Sequence, residues 1–324
     1  MEYSCKQLTK KYNSVDLMKF VLSVFVMIIH SGVDKTLIAP LLRMAVPLFF
    51  IVSSYFFFNK NKKLTSKAEK KAALLHFVKR NLLLYTVWAG FQLPLVMFGR
   101  GYFDGLFPDG ILSMLKDLLQ GNAFTGSWYV VASVIGVLFI YWASRYLAAK
   151  WLVLITLPLY LFGCLVTNYW NLFEPDSFVV RFANGYHDLT GLHFNNSFPI
   201  ALFWMSVGCF LTQLKVNIKS WVLWAVVLVS GVLIALEQVV AVVNDLAGMD
   251  DCYVMLIPLC PAFFLLVSRW KVTINTRFRL REISVLIYVM HGCCERVVGY
   301  ALKALPFDVW GQNAVKVAIA LVMI

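Results

Sequence analysis

Charged residues are scarce in this sequence, and their scarcity narrows the class of protein. They make up 14% of the 324 residues, whereas a soluble domain of this length carries roughly 25%. Hydrophobic residues reach 60% and recur along the whole chain in long runs, and a helix needs about 20 such residues to cross a bilayer. A secretory signal would give a single apolar run near the start, and an outer-membrane barrel would give recurring segments of about ten residues with alternating hydrophobicity. The sequence shows neither pattern. The sequence therefore predicts an all-α, polytopic transmembrane helix bundle.

Cysteine motifs are also lacking. The seven cysteines are odd in number, show no CxxC or zinc-finger spacing, and lie mostly inside apolar runs, where cysteine acts as a small hydrophobic residue. We therefore expect no structural disulfide and no metal site. The net charge of +12 does not indicate a nucleic-acid partner, because the basic residues lie in short loops between apolar runs. There they set topology and contact anionic headgroups, which makes membrane lipids the expected partners.

Nine apolar runs are long enough to be complete spans, and a tenth stops short. The nine cover residues 16–33, 40–58, 81–98, 128–146, 151–169, 198–214, 221–243, 252–270 and 283–302. The last run, 313–324, is too short to cross a bilayer. Either the chain has been cut inside a tenth span, which we favour, or it ends in a half-inserted helix. Residues 1–324 are expected to form a single integral membrane domain.

The distribution of lysine and arginine predicts the orientation of the spans. With the amino terminus in the cytoplasm, the five inner segments carry 20 of the 29 basic residues, and the outer segments carry five of them. Eleven of the 17 acidic residues fall in outer segments. Inner loops are short apart from the lysine-rich stretch 59–80. Two outer loops, 99–127 and 168–197, are long and mix aromatic with polar residues, which suits an acceptor outside the membrane.

Ionisable side chains inside the predicted spans are candidates for function, because burying a charge in a bilayer is costly. Glu237 lies deep in the seventh span and has no evident partner in the sequence. The full set is Asp16, Lys19, His30, Arg43, Glu237, His291, Glu295, Arg296 and Lys316.

The first span carries an acid, a cation and a histidine on one helix. Asp16 and Lys19 are one turn apart at the cytoplasmic end, and ten residues separate Lys19 from His30. Lys19 and His30 are thus about 16 Å apart along the helix axis, which is comparable to the reach of a phosphopantetheine arm. Lys19 would then meet phosphates while His30 meets a thioester carbonyl. The alternative is a lysine that extends to the headgroups and a histidine that bridges two helices.

Arg43 enters the second span from the outer side, at a depth similar to that of His30. A fixed cation near a histidine suits stabilisation of a developing oxyanion, or capture of an anionic acceptor. The alternative is an interfacial arginine paired with Asp34 or with a lipid phosphate.

Five segments together resemble the membrane acyltransferase family 3. They are the first-span pattern at 16–30, the run Arg43-x-x-Val-Pro-Leu-Phe-Phe, Lys79-Arg80 before the third span, Ser127-Trp128-Tyr129 at the fourth, and 284–291 in the ninth. The resemblance covers nearly the whole chain in order. It implies ten helices and an enzyme that uses cytoplasmic acyl-CoA to O-acylate extracytoplasmic glycans.

The family's motif of a basic residue, ten intervening residues and a histidine falls on Lys19 and His30. The family usually has arginine at the first position, and lysine keeps the charge but gives up bidentate phosphate recognition. The family's Ser-Gly-aromatic sequence is here Ser53-Ser54-Tyr55. Ser54 is expected to hinder a close backbone approach that glycine allows.

The other candidate residues each have an alternative. Lys79 and Arg80, with the arginines at 277, 279 and 281, would bind the nucleotide phosphates of CoA together with Asp16 and Lys19, or would only set topology. His291 would line the same cavity as His30, or would bridge two helices.

The expected acceptor contacts lie on the outer side. Trp128 and Tyr129 would contact the acceptor, and aromatic rings such as those of Trp128 and Tyr186 would stack on sugars. His187, Asp188 and His193 superficially suggest a metal site, which their loose spacing disfavours.

These features predict an O-acyltransferase, most simply an O-acetyltransferase, of the bacterial inner membrane. Acetyl-CoA would be the donor substrate, no cofactor would be bound permanently, and an envelope or cell-surface glycan would accept the acyl group on a hydroxyl. His30 would act as general base or carry the acyl group, and Arg43 would stabilise charge near the reacting carbonyl. The alternatives are a transporter of a glycan or small metabolite, and the membrane domain of a larger sensor or racemase-type protein.

Overall fold

The computed structural model describes residues 13–31, 38–99, 109–215, 217–273, 279–302 and 317–319. Those ranges contain helices and no strand, so the all-α prediction is confirmed. The α-helices are α1 (Asn13–His30), α2 (Ala39–Leu42), α3 (Ala45–Asn61), α4 (Lys67–Gly99), α5 (Asp109–Gln120), α6 (Trp128–Ala143), α7 (Ala149–Leu165), α8 (Phe178–Thr190), α9 (Phe198–Gln213), α10 (Ser220–Val243), α11 (Leu256–Arg269) and α12 (Leu280–Leu302). Two short 3-10 helices cover Trp170–Leu172 and Phe194–Asn196.

Three helical stretches of the described chain are long and apolar enough to cross a membrane. They are Asn13–His30, Ala39–Asn61 and Ser220–Val243. Four further apolar helices, α6, α7, α9 and α11, are 14 to 17 residues long, which is less than the roughly 20 residues of a full span. The count of nine complete spans therefore stays a prediction. The last apolar run, 313–324, lies outside the described residues except for 317–319.

The chain divides into two compact units, which are described separately. Unit 1 comprises residues 1–49, 216–236 and 255–324, and unit 2 comprises residues 50–215 and 237–254.

In unit 1, α1 and α12 pack side by side and run in the same direction. Met27, Ile287 and Cys294 form the buried part of their contact. At the start of both helices Arg281 interacts electrostatically with Asp16, and farther along both helices His30 meets His291. Parallel packing is what the predicted alternation requires of the first and ninth spans, since both would leave the cytoplasm.

Residues at the helix ends next to three of the predicted cytoplasmic segments contact one another at one end of unit 1. The Asn13 side-chain amide donates to the backbone carbonyl of Val272 at 3.2 Å. Arg269 donates to the carbonyl of Ile218 at 2.6 Å, and the Trp224 and Trp270 rings stack beside that contact. These contacts join the starts of α1 and α10 to the end of α11, and the orientation of the chain stays a prediction.

Unit 2 is built around α9, which is buried on all sides. Every residue from Pro199 to Cys209 is buried, the pattern of a helix that lies wholly inside a protein. It packs against α6 and α7, and Tyr160 of α7 stacks on Phe203 at a ring separation of 5.1 Å. In unit 1, by contrast, α10 exposes a long apolar surface that includes Leu228, Val232 and Leu236, as expected of a helix that faces lipid.

Ser54 was expected to hinder a close approach of two helix backbones, and this expectation was wrong. Helices α3 and α9 approach closely because α9 has a glycine, Gly208, at the contact. A Cβ added at Gly208 would lie 2.6 Å from the Ile51 carbonyl oxygen and 2.8 Å from Ser54 Cβ. Ser54 is fully buried and its hydroxyl donates to the Met205 carbonyl. The backbones of α3 and α9 thus touch although Ser54 replaces the family's glycine.

The lysine-rich stretch 59–80 is largely helical rather than a loop. Helix α4 begins at Lys67, where Ser66 and Glu69 form reciprocal 3.1 Å hydrogen bonds between side chains and backbone N–H groups. This is a capping box, which satisfies two N–H groups that the first turn leaves without helical partners. The hydrogen bonds from Ser66 hold the pKa of the Glu69 carboxyl below its usual value.

The segments predicted to be outer loops meet within unit 2. The Thr167 carbonyl accepts a 3.0 Å hydrogen bond from the Gly248 N–H, and the Gln120 amide donates to the Leu189 carbonyl at 3.3 Å. The first contact joins the loops after α7 and α10, and the second joins the end of α5 to α8. Each of the two long segments predicted to be outer loops contains a helix: α5 lies within 99–127 and α8 within 168–197.

We predict that Gly208→Ala destabilises the protein by about 1–3 kcal/mol, because the added methyl overlaps backbone atoms that a rotamer change cannot move. The measurement is the thermal unfolding midpoint of the purified protein in detergent. Gly231→Ala is the control, since a Cβ there meets nothing within 4 Å. Equal midpoints for the two variants would contradict the close contact between α3 and α9.

Candidate functional site

Two histidines from opposite ends of the chain stack on each other in unit 1. The His30 and His291 rings have centroids 5.1 Å apart and an interplanar angle of 29°. His30 is the last residue of α1 and its side chain is exposed, whereas His291 is fully buried within α12. The pair therefore has one imidazole that is open to approach and one that is held inside the helices.

The hydrogen bonding of His291 indicates its tautomer. Its Nδ1 lies 2.7 Å from the Tyr288 carbonyl oxygen, and a carbonyl can only accept, so Nδ1 carries the proton. In the neutral ring Nε2 is then an acceptor. This atom is buried and has no hydrogen-bond partner among the described residues. An unpaired buried acceptor is costly for stability, which makes it a candidate for contact with a bound molecule.

Aromatic contacts extend the histidine pair to the run that follows Arg43. Tyr288 lies 6.1 Å from the His291 ring, and Phe49 packs edge-on against Tyr288 at 5.8 Å. Phe49, Tyr288 and the two histidines come from three of the five segments that the sequence singled out. The sequence did not identify Phe49 and Tyr288 as site residues, although both lie inside those segments.

The cytoplasmic end of the same two helices carries charge. Lys19 and Arg281 are the two cations that interact most strongly with Asp16. Lys19 and Arg281 precede His30 and His291 by similar stretches of helix, which correspond to about 16 and 15 Å. Unit 1 thus brings together Asp16, Lys19, His30 and His291 of the predicted site residues.

The other predicted site residues are not part of the contact between α1 and α12. Arg43 also belongs to unit 1 and is half-buried in the break between α2 and α3. Lys79 and Arg80 are exposed on α4 in unit 2. Trp128 and Tyr129 open α6 in unit 2, where both rings pack on Phe50 with centroids 6.0 and 4.5 Å away. The role of each of these residues stays a prediction.

Glu237 has partners that the sequence did not reveal. Its carboxylate accepts hydrogen bonds from the Tyr169 hydroxyl at 2.9 Å and from the Val254 N–H at 2.8 Å. It joins the end of α7 to the segment before α11. This contact gives Glu237 a structural role in unit 2.

In the described part of the chain, no group of three or more histidine, cysteine or acidic side chains is placed to hold a metal ion. His187 and His193 do stack, with ring centroids 4.7 Å apart.

Comparison with known families decides the class of this chain. A model of an acyltransferase domain matches residues 12–324. The chain belongs to acyltransferase family 3. Family 3 members are membrane proteins, in agreement with the long apolar helices.

The curated relatives add a second name. The chain is 24% identical over 309 residues to an amino-acid racemase of Enterococcus faecalis, an alignment that covers 89% of this chain and 40% of the relative. A second amino-acid racemase of the same organism is 22% identical over 310 residues, covering 91% and 42%. The chain thus spans about two-fifths of the length of these relatives. No solved structure matches the chain.

We predict that His291→Phe leaves this family 3 protein as stable as before or more stable. Phenylalanine keeps a ring against His30 and removes a buried unpaired acceptor, which costs about 1–3 kcal/mol. His291→Ala is the comparison, because it leaves a cavity and should lower the thermal unfolding midpoint. A loss of stability in His291→Phe as large as that in His291→Ala would contradict an unpaired Nε2.

Proposed function

We propose that the protein is an O-acyltransferase, most simply an O-acetyltransferase, that moves an acyl group from cytoplasmic acyl-CoA to a hydroxyl of an envelope glycan. Membership of acyltransferase family 3 supports the reaction class. The observation that carries the proposal is the stacking of His30 on His291. It places an accessible imidazole beside a buried one on two helices that both carry a cation at their other end.

The donor would bind along α1 and α12. Lys19 and Arg281 supply positive charge at the end proposed to be cytoplasmic, and the histidines lie about 15–16 Å further along the helices. A phosphopantetheine arm bound by its phosphates at the cations would bring its thioester to His30. Asp16, as a carboxylate, would orient Lys19 and Arg281 rather than contact phosphate, because like charges repel.

In the reaction His30 would take the proton of the acceptor hydroxyl as its oxygen attacks the thioester carbonyl. The new ester bond forms, the carbon–sulfur bond breaks, and the CoA thiolate leaves and takes up the proton from His30. Nε2 of His291 would accept a hydrogen bond from a donor group on the bound substrate. Arg43 would stabilise the negative charge that develops on the carbonyl oxygen. Alternatively, the transfer would take two steps, in which His30 first accepts the acyl group from CoA and then passes it to the acceptor hydroxyl.

The proposal includes topology and location. The chain would cross the bacterial inner membrane several times, with its amino terminus in the cytoplasm. Lys79 and Arg80 would add to the nucleotide site, and Trp128 and Tyr129 would contact the acceptor. No cofactor would be bound permanently.

We predict that His30→Ala abolishes acyl transfer, lowering kcat by about 100-fold or more, since general acid–base catalysis contributes 10²–10⁴-fold. The measurement is release of free CoA from acetyl-CoA by the reconstituted protein. His76→Ala is the matched control, because His76 is an exposed histidine on α4 that the proposed mechanism does not use. Full thioester cleavage by His30→Ala would refute the mechanism.

We predict that Lys19→Ala raises the KM for acetyl-CoA roughly tenfold, with a smaller effect on kcat, because it removes a phosphate contact present before and during the reaction. Lys19→Arg should restore the affinity, since arginine binds phosphate in a bidentate manner. Lys63→Ala, at an exposed lysine beyond α3, is the control for general loss of charge. An unchanged KM in Lys19→Ala would make Lys19 a lipid anchor.

A second candidate function follows from the curated relatives. Since both are amino-acid racemases and the alignment covers about two-fifths of each, the chain would be the membrane domain of a larger racemase-type protein. Release of CoA from acetyl-CoA by the reconstituted parent protein separates the two proposals. Binding of serine or alanine without any release of CoA from acetyl-CoA would favour the second.

A further inference from the structure

Unit 2 contains a cavity among the segments predicted to face the outside. Its volume is about 220 Å³, below the roughly 300–1,000 Å³ of pockets for drug-sized ligands, which suits one small ring. Its polar lining is Asn184, His187, His193 and Asn195, and its apolar lining includes Trp170 and Phe194. The proposed catalytic residues are not part of it.

The aromatic wall of the cavity is held by backbone contacts. Trp170 lies in a 3-10 helix directly against Gly248, where an added Cβ would be 3.0 Å from both Cβ and Cγ of Trp170. The Gly248 N–H donates to Thr167 at 3.0 Å, and the Asn171 amide donates to the Asp245 carbonyl at 2.9 Å. Because these bonds flank Trp170 on both sides, its indole is positioned before any ligand arrives.

Part of the polar wall is held by side-chain contacts. Asn195 is buried and its amide donates to the Asp251 carboxylate. His187 and His193 stack with an interplanar angle of 28°, and Nδ1 of His187 lies 3.9 Å from the Asp188 carboxylate. The lining of the cavity thus combines amide and imidazole groups with aromatic rings.

The lining of the cavity supplies little positive charge for an anionic ligand. No lysine or arginine lines it within the described chain. Burial, and then repulsion from His187, lower the pKa of His193 in spite of the opposing effect of Asp251, which favours the neutral imidazole. A carboxylate or phosphate would therefore find no fixed cation, whereas a molecule with hydroxyl groups and one apolar face fits both walls.

We propose that this cavity binds one ring of a neutral saccharide and so holds a sugar of the acceptor glycan. The assignment to the acceptor rests on the proposed function. The saccharide ring would lie on Trp170, and its hydroxyls would exchange hydrogen bonds with Asn184, His187 and His193.

The test is saturation-transfer NMR on the full chain, purified in a detergent without a sugar headgroup. The probes are two neutral trisaccharides, triacetylchitotriose and maltotriose, which distinguish N-acetylated from plain glucose rings. Ala183→Leu fills the cavity from α8. Gly185→Leu is the matched control, because it adds the same side chain to the same helix where a Cβ meets nothing within 4 Å. Asn184→Ala, at an exposed position, replaces Ala183→Leu if that variant does not fold.

We expect at least one trisaccharide to bind the parent protein and Gly185→Leu equally, and Ala183→Leu roughly tenfold more weakly. Absence of binding to the parent, or equal binding to Ala183→Leu, would overturn the inference. Displacement of the sugar by serine would make the cavity an amino-acid site and would overturn it too. The binding measurement contains no acyl donor, so its result is independent of the CoA-release assay on His30→Ala. Absence of sugar binding would overturn only the saccharide site, and full activity of His30→Ala would overturn only the proposed mechanism.

Discussion

Helices α1 and α12 share a buried seam of Met27, Ile287 and Cys294 and run in the same direction. Their parallel packing sets His30 against His291 at one level and Asp16 near Arg281 at another. One turn of sliding would move the facing rings by about 5.4 Å, enough to separate them. The proposed donor path depends on this register, because α1 alone carries only Lys19 as a cation and His30 as an imidazole.

Close packing in unit 2 serves a different purpose. Gly208 lets α9 touch the backbone of α3, and α9 is buried on every side, so the unit has a rigid centre. The segments predicted to lie outside the membrane are joined by backbone hydrogen bonds and by the carboxylate of Glu237. Loops held in this way can keep an ordered cavity at the surface of a membrane protein, where a mobile loop would lose binding energy to ordering.

Much of the fold and part of the candidate site could be predicted from the sequence. Composition indicated helices and a membrane, and the spacing of Lys19 and His30 on one helix identified the pair that α1 presents. His291 was identified as a candidate, but its stacking on His30 was not. Glu237 appeared isolated because its partners, Tyr169 and Val254, are distant in sequence, and Ser54 appeared obstructive because the compensating glycine lies on α9.

The sequence by itself determined the helical class, the membrane character and the residues worth testing, because hydropathy and spacing along one helix are local properties of the chain. Only the tertiary structure decided which of those residues meet. The rotation and register of one helix against another arise from side-chain packing between distant segments. They bring His291 to His30, turn Glu237 into a structural acceptor, and gather Trp170, His187 and His193 around one cavity.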